Sequence, residues 1–272
     1  MRARSALFTL FGDVVRPGGG EAWLSSLTDA MGALGFRAEA TRTALSRMAA
    51  EGWVEPRRAG RYAAYRLTPR GADRLDEAAT RIYRLRAAPW DGRWRLLALP
   101  GLPEHVAREL GWMGFGRLPG GMWVSPHDHG DRLPALLDGR ERLLFTATVD
   151  DDRAVTAQAW DLSALQAAHE GFLAAWPAPD GVAPGTKAAF AERIRLVHHW
   201  RSFLFLDPGL PAALLPADWL GGTAAALFRD RYERLAAPAW SWWAGLADHL
   251  PALASDPQAS PFTRGLDALA TT

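Results

Sequence analysis

The stretch from Glu39 to Glu51 constrains this 272-residue chain more than any other. At about 100° per residue it divides cleanly, with Thr41, Ala44, Leu45, Met48 and Ala49 on one face and Glu39, Arg42, Thr43, Ser46 and Arg47 on the other. One face is built to pack and the other is left free. Ahead of it, Leu7, Leu10, Phe11, Val14 and Val15 predict a first helix stopped by Arg16-Pro17-Gly18-Gly19-Gly20, and Trp23, Leu24, Leu27, Ala30, Met31 and Leu34 predict a second that ends at Gly35. Behind it, Gly52 ends the helix, and Trp53–Arg58 and Arg61–Leu67 read as two short strands about Ala59-Gly60, with arginines crowding the tip. Thr68-Pro69 then opens a fourth helix running to Leu85, with Thr as N-cap and Pro as first helical residue. Three helices, a basic hairpin and a fourth helix are the order of a winged helix–turn–helix.

Charge points the same way. Residues 1–90 hold 15 arginines and 9 acidic residues, whereas the remainder of the chain is net acidic, with 21 acidic residues and 16 basic ones. A polyanion would be met at the basic end. The free face of residues 39–51 would enter a major groove roughly 12 Å wide, with Arg42 and Arg47 offering planar forks for guanine edges or phosphates and Thr43 and Ser46 able to reach either. Arg57, Arg58 and Arg61 are placed to anchor phosphates from the wing. Double-stranded DNA is the expected partner.

After Pro89 the pattern changes. Trp94–Leu99, Met122–Ser125 and Leu143–Val149 read as strands, and Glu104–Gly111 and Leu133–Leu137 as helices, so residues 89–160 predict a small α+β sandwich of ferredoxin-like type. From Leu162 the spacing is helical, broken by Pro177, Pro179, Pro208, Pro216 and Pro238, giving a helical third domain over 161–272. The fold class is therefore multidomain α+β, with DNA contact assigned to residues 1–88.

The chain has no cysteine, which excludes a disulfide framework, a thiol nucleophile and zinc-finger or iron–sulfur ligation and suits a reducing compartment, the cytoplasm. No apolar run approaches the roughly 20 residues that span a bilayer, and Met1–Phe11 carry no secretion-signal pattern. Nucleophile-elbow, phosphate-loop and dinucleotide motifs are absent, since Gly114-Phe115-Gly116 lacks the third glycine and the helix that would follow it. His127-Asp128-His129-Gly130-Asp131 overlaps the start of a two-metal hydrolase pattern, but the sixth position is Arg132 rather than His. His198 and His199 are adjacent and diverge by about 100° on a helix. Neither a metal nor a cofactor is expected. Trp200, Trp219, Trp240, Trp242 and Trp243 enrich the last third in large aromatics that fill a core or wall a pocket for an aromatic or acyl ligand, and Arg195, Trp200 and Arg201 are the residues singled out for such an effector.

Thr9–Asp13 with Arg16–Glu21, and Arg42–Met48, resemble the PaaX family of bacterial repressors. The likeness continues through Gly52-Trp53, Gly60-Arg61, Tyr65–Thr68, Trp90–Trp94, Phe203–Pro211, Leu214–Pro216 and Trp219, in order, over nearly the whole chain. The resemblance implies a winged helix, a Cas2-like middle domain, a helical C-terminal domain, and a repressor released from its operator by a CoA thioester of the phenylacetyl-CoA type. Ala63-Ala64 in the wing depart from the family's polar and aromatic residues. Reading of a duplex operator implies a homodimer. Two rival readings stand beside this one. The first is a hydrolase or nuclease using His127, His129 and Asp131 as metal ligands, and the second is a protein that binds nucleic acid without sequence preference.

Overall fold

The computed structural model of the chain describes residues 1–83, 90–99, 101–130, 132–137, 139–177, 186–247 and 250. Asp131, Leu85 and the end of the third domain beyond residue 250 lie outside the described residues. The chain divides into two compact units, one made by residues 1–84, 176–201 and 225–272 and the other by residues 85–175 and 202–224. The helical region after residue 160 is thus shared between them.

In the first unit, α1 (Ala3–Leu10) widens into a π turn over Phe11–Val15, closed by the Arg16 N–H donating to the Phe11 carbonyl at 2.7 Å. Wide turns of this kind re-aim side chains, and here Asp13 is turned fully inward. Gly19 and Gly20 then take positive φ, which only glycine adopts freely, and the chain enters a short strand, β1 (Glu21–Trp23), before α2 (Leu24–Ala33). Trp23, expected at the head of the second helix, belongs instead to this strand. β1 pairs with β3, so Trp23 is fixed by a neighbour distant in sequence rather than by its local pattern.

α3 (Ala38–Ala50) follows, then β2 (Val54–Ala59), β3 (Tyr62–Leu67) and α4 (Pro69–Ile82). The sheet is antiparallel in the order β1-β3-β2. The core beneath it joins Leu7, Leu10, Phe11, Leu27, Met31, Leu45 and Met48 to Phe190, Ala191, Ile194 and Ala239 from the C-terminal region.

A buried polar knot accompanies that core. Asp13 accepts from Arg193 Nε at 2.8 Å and Nη2 at 3.2 Å, from the Tyr83 hydroxyl at 2.6 Å and from the Tyr232 hydroxyl at 2.9 Å. The Arg193 guanidinium also lies 4.4 Å from the centre of the Tyr232 ring. Burial opposes the Arg193 charge, but the Asp13 carboxylate more than restores it. Both tyrosines are pushed upward by burial and by the same carboxylate, so they act as neutral donors.

In the second unit, β4 (Trp94–Ala98), β5 (Gly116–Leu118), β6 (Met122–Ser125) and β7 (Leu143–Ala147) form one antiparallel sheet in the order β5-β6-β4-β7. With α5 (Glu104–Trp112) and α6 (Arg132–Leu136) this is the ferredoxin-like arrangement. β5 is too short to carry a period and was not apparent in the sequence. Leu97, Val106, Leu110, Trp123 and Leu133 fill one side of the sheet, while Trp94 and Val124 meet Leu210, Leu214 and Trp160 on the other. α7 (Asp152–Ala159) and α8 (Leu162–Ala175) complete the unit.

Of the remaining helices, α9 (Lys187–Trp200) is nearly all buried along one face, and α10 (Gly221–Gly245) runs straight through Pro238. Pro238 was expected to break the helix. A proline removes one helical hydrogen bond, and the packing of Ala239, Trp240, Trp242 and Trp243 on the core of the first unit holds the turn around it.

Candidate nucleic-acid interface

The turn between α2 and α3 is set by Gly35 at φ +91°, whose N–H donates to the Gly32 carbonyl while that of Phe36 reaches back to Met31 at 3.0 Å. This is the Schellman pattern, which needs a left-handed residue just past the helix end. The same pattern closes α3, with Gly52 at φ +73° and the Trp53 N–H donating to the Met48 carbonyl at 2.9 Å. The chain therefore leaves α3 directly into β2, and α3 packs on β2 and on α1.

Along α3 the division read from the sequence is physical. Thr41, Ala44, Leu45 and Met48 are buried, and Arg42, Thr43, Ser46 and Arg47 are all exposed. Arg42 has no acidic partner among the described residues, and Arg47 lies close enough to Glu51 to help lower that carboxylate, after the stronger effect of Arg4. Arg37, exposed at the N-cap position of α3, adds a cation that the sequence did not single out.

In the hairpin, Gly60 at φ +60° and Arg61 form a two-residue turn between Ala59 and Tyr62. Arg57, Arg58 and Arg61 are exposed. Arg57 stands 3.8 Å from Glu21, and Arg58 has no acidic partner among the described residues. Arg61 donates to the Tyr62 hydroxyl at 2.8 Å, and Tyr62 in turn meets Trp23 edge-on. Tyr62 is thus a support for the hairpin tip that only the folded arrangement reveals.

The hairpin is seated by α4. The Thr68 hydroxyl caps that helix by accepting from the Gly71 N–H at 3.0 Å and donates to the Gly52 carbonyl at 2.7 Å. A Cβ placed on Gly71 would stand 2.2 Å from the Trp53 carbonyl oxygen. A glycine-to-alanine change inside a helix ordinarily gains about 1 kcal/mol, but this contact is with backbone and cannot relax cheaply. Gly71→Ala is expected to lose about 1–3 kcal/mol instead, measured as a lower urea midpoint.

The residues singled out for an effector are not gathered in one place. Arg195 is exposed on α9, whereas Trp200 is buried, stacks on Phe228 at 4.7 Å and donates from Nε1 to the Ile82 carbonyl at 2.9 Å. Arg201 donates to the Ser5 carbonyl and hydroxyl at 3.0 and 2.6 Å, and its buried Nε finds no partner among the described residues. His198, beside it, bonds Thr9 at 2.9 Å and is pushed down to about 4, by burial first and by Arg201 second. This end of α9 clasps α1.

In the second unit, His129 stacks on Phe115 at 4.5 Å and bonds the Ser125 hydroxyl at 2.8 Å, and burial holds its pKa at about 4. No group of three metal-ligating side chains occurs among the described residues. No helix among them is long and apolar enough to cross a membrane.

Family models match in series, that for PaaX-like protein at residues 2–71, that for the PaaX central Cas2-like domain at 87–156, and that for the PaaX-like C-terminal domain at 160–245. Transcriptional repressor PaaX of Escherichia coli (strain K12) is 33% identical over 261 residues, covering 85% of this chain and 80% of its own. The fold of the uncharacterized protein Rv0674 from Mycobacterium tuberculosis matches with a TM-score of 0.58 at 25% identity, over 90% of this chain and 98% of that one. The class these define is one of transcriptional regulators rather than enzymes. The chain belongs to the PaaX family.

Proposed function

We propose that this protein is a cytoplasmic, homodimeric repressor of a catabolic operon, that residues 1–88 form a winged helix–turn–helix which reads the operator, and that a CoA thioester releases it. The observation that carries the reading is the division of α3, whose four polar side chains Arg42, Thr43, Ser46 and Arg47 all face outward directly before an arginine-bearing hairpin. The E. coli relative, a transcriptional repressor by name, supports it. In this account α3 lies in the major groove, and Arg57, Arg58 and Arg61 hold phosphates. Phenylacetate breakdown is the regulated chemistry the kinship favours.

Two substitutions separate base reading from phosphate anchoring. Arg47→Ala is expected to weaken operator binding by about 1–3 kcal/mol and relax preference at one base pair, whereas Arg58→Ala weakens every sequence alike and lowers the salt slope by about 1. Gel-shift titrations on matched and mismatched duplexes measure both. Wild-type affinity in both variants would remove α3 and its hairpin from DNA.

The effector follows from linkage. A thioester that lowers operator occupancy a hundredfold must bind the DNA-free arrangement more tightly by about 2.7 kcal/mol. Calorimetric titration with phenylacetyl-CoA, free CoA and phenylacetate, paired with DNA release, tests this. The acyl compound alone is expected to bind and to release DNA. Failure of all aryl- and acyl-CoA compounds to bind below about 1 mM, or binding without release, would set the thioester aside. Arg195 is the one accessible cation of the three residues named for this role. Arg201 would contribute through its clasp on α1, and Trp200 through its stacking on Phe228.

A further inference from the structure

The outward face of α3 and the hairpin do not account for every exposed arginine of the first unit. Phe8 on α1 and Trp53, just beyond the Gly52 turn, meet edge to face at 5.2 Å, and each ring carries a guanidinium on its face, Arg4 at 4.9 Å from the Phe8 centre and Arg70 at 4.8 Å from that of Trp53. Arg4 and Phe8 are spaced to share one face of α1. Glu51, the C-cap of α3, joins the two halves. Its carboxylate accepts from Arg4 and from the Trp53 Nε1 at 3.0 Å, and its carbonyl accepts from Arg70 at 3.2 Å. Arg47 stands one turn back on α3.

Arg4, Arg47, Arg70 and Glu51 are all exposed, so three arginines share one carboxylate. Their neighbours do not change the balance. Arg74 pairs with Glu77 and Asp76 with Arg16, while exposed Arg2 and Asp73, which form no ion pair among the described residues, offset each other. A stacked guanidinium keeps its donors in a fixed plane, the geometry that takes a phosphate in two parallel bonds. An exposed Arg–Glu pair is weak, so a phosphate can take the place of the Glu51 carboxylate on Arg4. β2 puts six residues between Trp53 and the Gly60 turn, roughly 20 Å of strand, so Arg61 at the hairpin tip cannot serve the same phosphate.

We propose that Arg4 and Arg70 form a second grip on the DNA backbone, at the base of the hairpin, and that Glu51 is the counter-ion a phosphate displaces. The inference rests on the reading of α3 as the helix that enters the groove, and adds to it contacts from α1 and α4.

Anisotropy titrations of the full chain across a salt series, on a duplex from the DNA flanking its own gene and on a random duplex, test it. Each phosphate contact contributes about 0.9 to the slope of log affinity against log salt. Arg4→Gln with Arg70→Gln is therefore expected to lower the slope by about 2 and to weaken both duplexes alike, whereas Arg4→Lys with Arg70→Lys keeps the wild-type slope. Glu51→Gln, whose amide oxygen still accepts from Trp53, is expected to bind both duplexes about two- to five-fold more tightly, the worth of an exposed pair that DNA no longer has to break. An unchanged slope in the double glutamine variant overturns the grip whatever the affinity does, because a merely structural role shifts affinity without removing a released counter-ion. Binding by Glu51→Gln no tighter than wild type overturns the counter-ion role. Slope loss without preference for the flanking duplex keeps the grip and sinks the operator reading, and preference with an unchanged slope does the reverse.

Discussion

A fragment ending at residue 88 is expected to have no cooperative unfolding transition and no operator affinity, although it contains every residue assigned to DNA contact. Its core is not its own. Phe190, Ile194 and Ala239 are almost fully buried within the cluster built on Leu10, Phe11 and Leu45, and Trp240, Trp242 and Trp243 pack against it. Deleting one large buried side chain costs about 2–5 kcal/mol, and a whole domain is stable by only about 5–15 kcal/mol. Losing Phe190 and Ile194 together with the aromatics of α10 removes enough to exhaust that margin. Circular dichroism and urea titration of the fragment beside the full chain decide the matter. A cooperative fragment that binds operator as tightly as the full chain would mean that the C-terminal helices only lie on a finished domain.

Removing the arginine of the buried knot is expected to be nearly as severe. Arg193→Met leaves the Asp13 carboxylate buried among two tyrosine hydroxyls with no counter-charge, a situation that costs about 3–5 kcal/mol. Tyr83→Phe and Tyr232→Phe each remove one hydrogen bond to a charged acceptor and should cost about 1.5–3 kcal/mol. Replacing both ions, as in Asp13→Leu with Arg193→Met, should recover much of the loss, since buried pairs are often no better than well-packed apolar residues. Urea midpoints of the single and double variants form the cycle. A cost below about 1 kcal/mol for Arg193→Met would contradict this account of the knot. Because Asp13 sits in the π turn at the end of α1, and α1 packs on α3, the knot also sets where α3 stands. The single variants should therefore lose DNA affinity under conditions where they remain folded.

The parts of this molecule legible in its sequence are those whose signals are local. α3 announces itself by a period that Thr41, Ala44, Leu45 and Met48 satisfy within one helix, and its ends by glycines at 35 and 52 whose positive φ serves the turns on either side. The hairpin was legible because Gly60-Arg61 separates two strands that pair with each other. Trp23 was misplaced because its strand exists only through β3, forty residues on. Pro238 was misread because the tertiary packing of α10 outweighs one missing hydrogen bond. Nothing in the spacing of Asp13, Tyr83, Arg193 and Tyr232 signals that they meet, since a π turn aims the first and folding alone assembles the rest. Arg201 and Trp200 read as ligand contacts because arginine and tryptophan serve that role on open surfaces. Here Trp200 fills a core position and Arg201 grips Ser5.

The central claim, that α3 and its hairpin make this chain a sequence-reading regulator, is tested most directly by fluorescence anisotropy of the full-length protein. The duplexes are DNA flanking its own gene and a random duplex of equal length, titrated across a series of salt concentrations. The account predicts a site bound at least about 10³-fold more tightly than the random duplex, with affinity falling steeply as salt rises and with the preference lost in a variant carrying both Arg42→Ala and Arg47→Ala. Equal affinity for both duplexes at every salt concentration, or a preference that survives the double substitution, would contradict it.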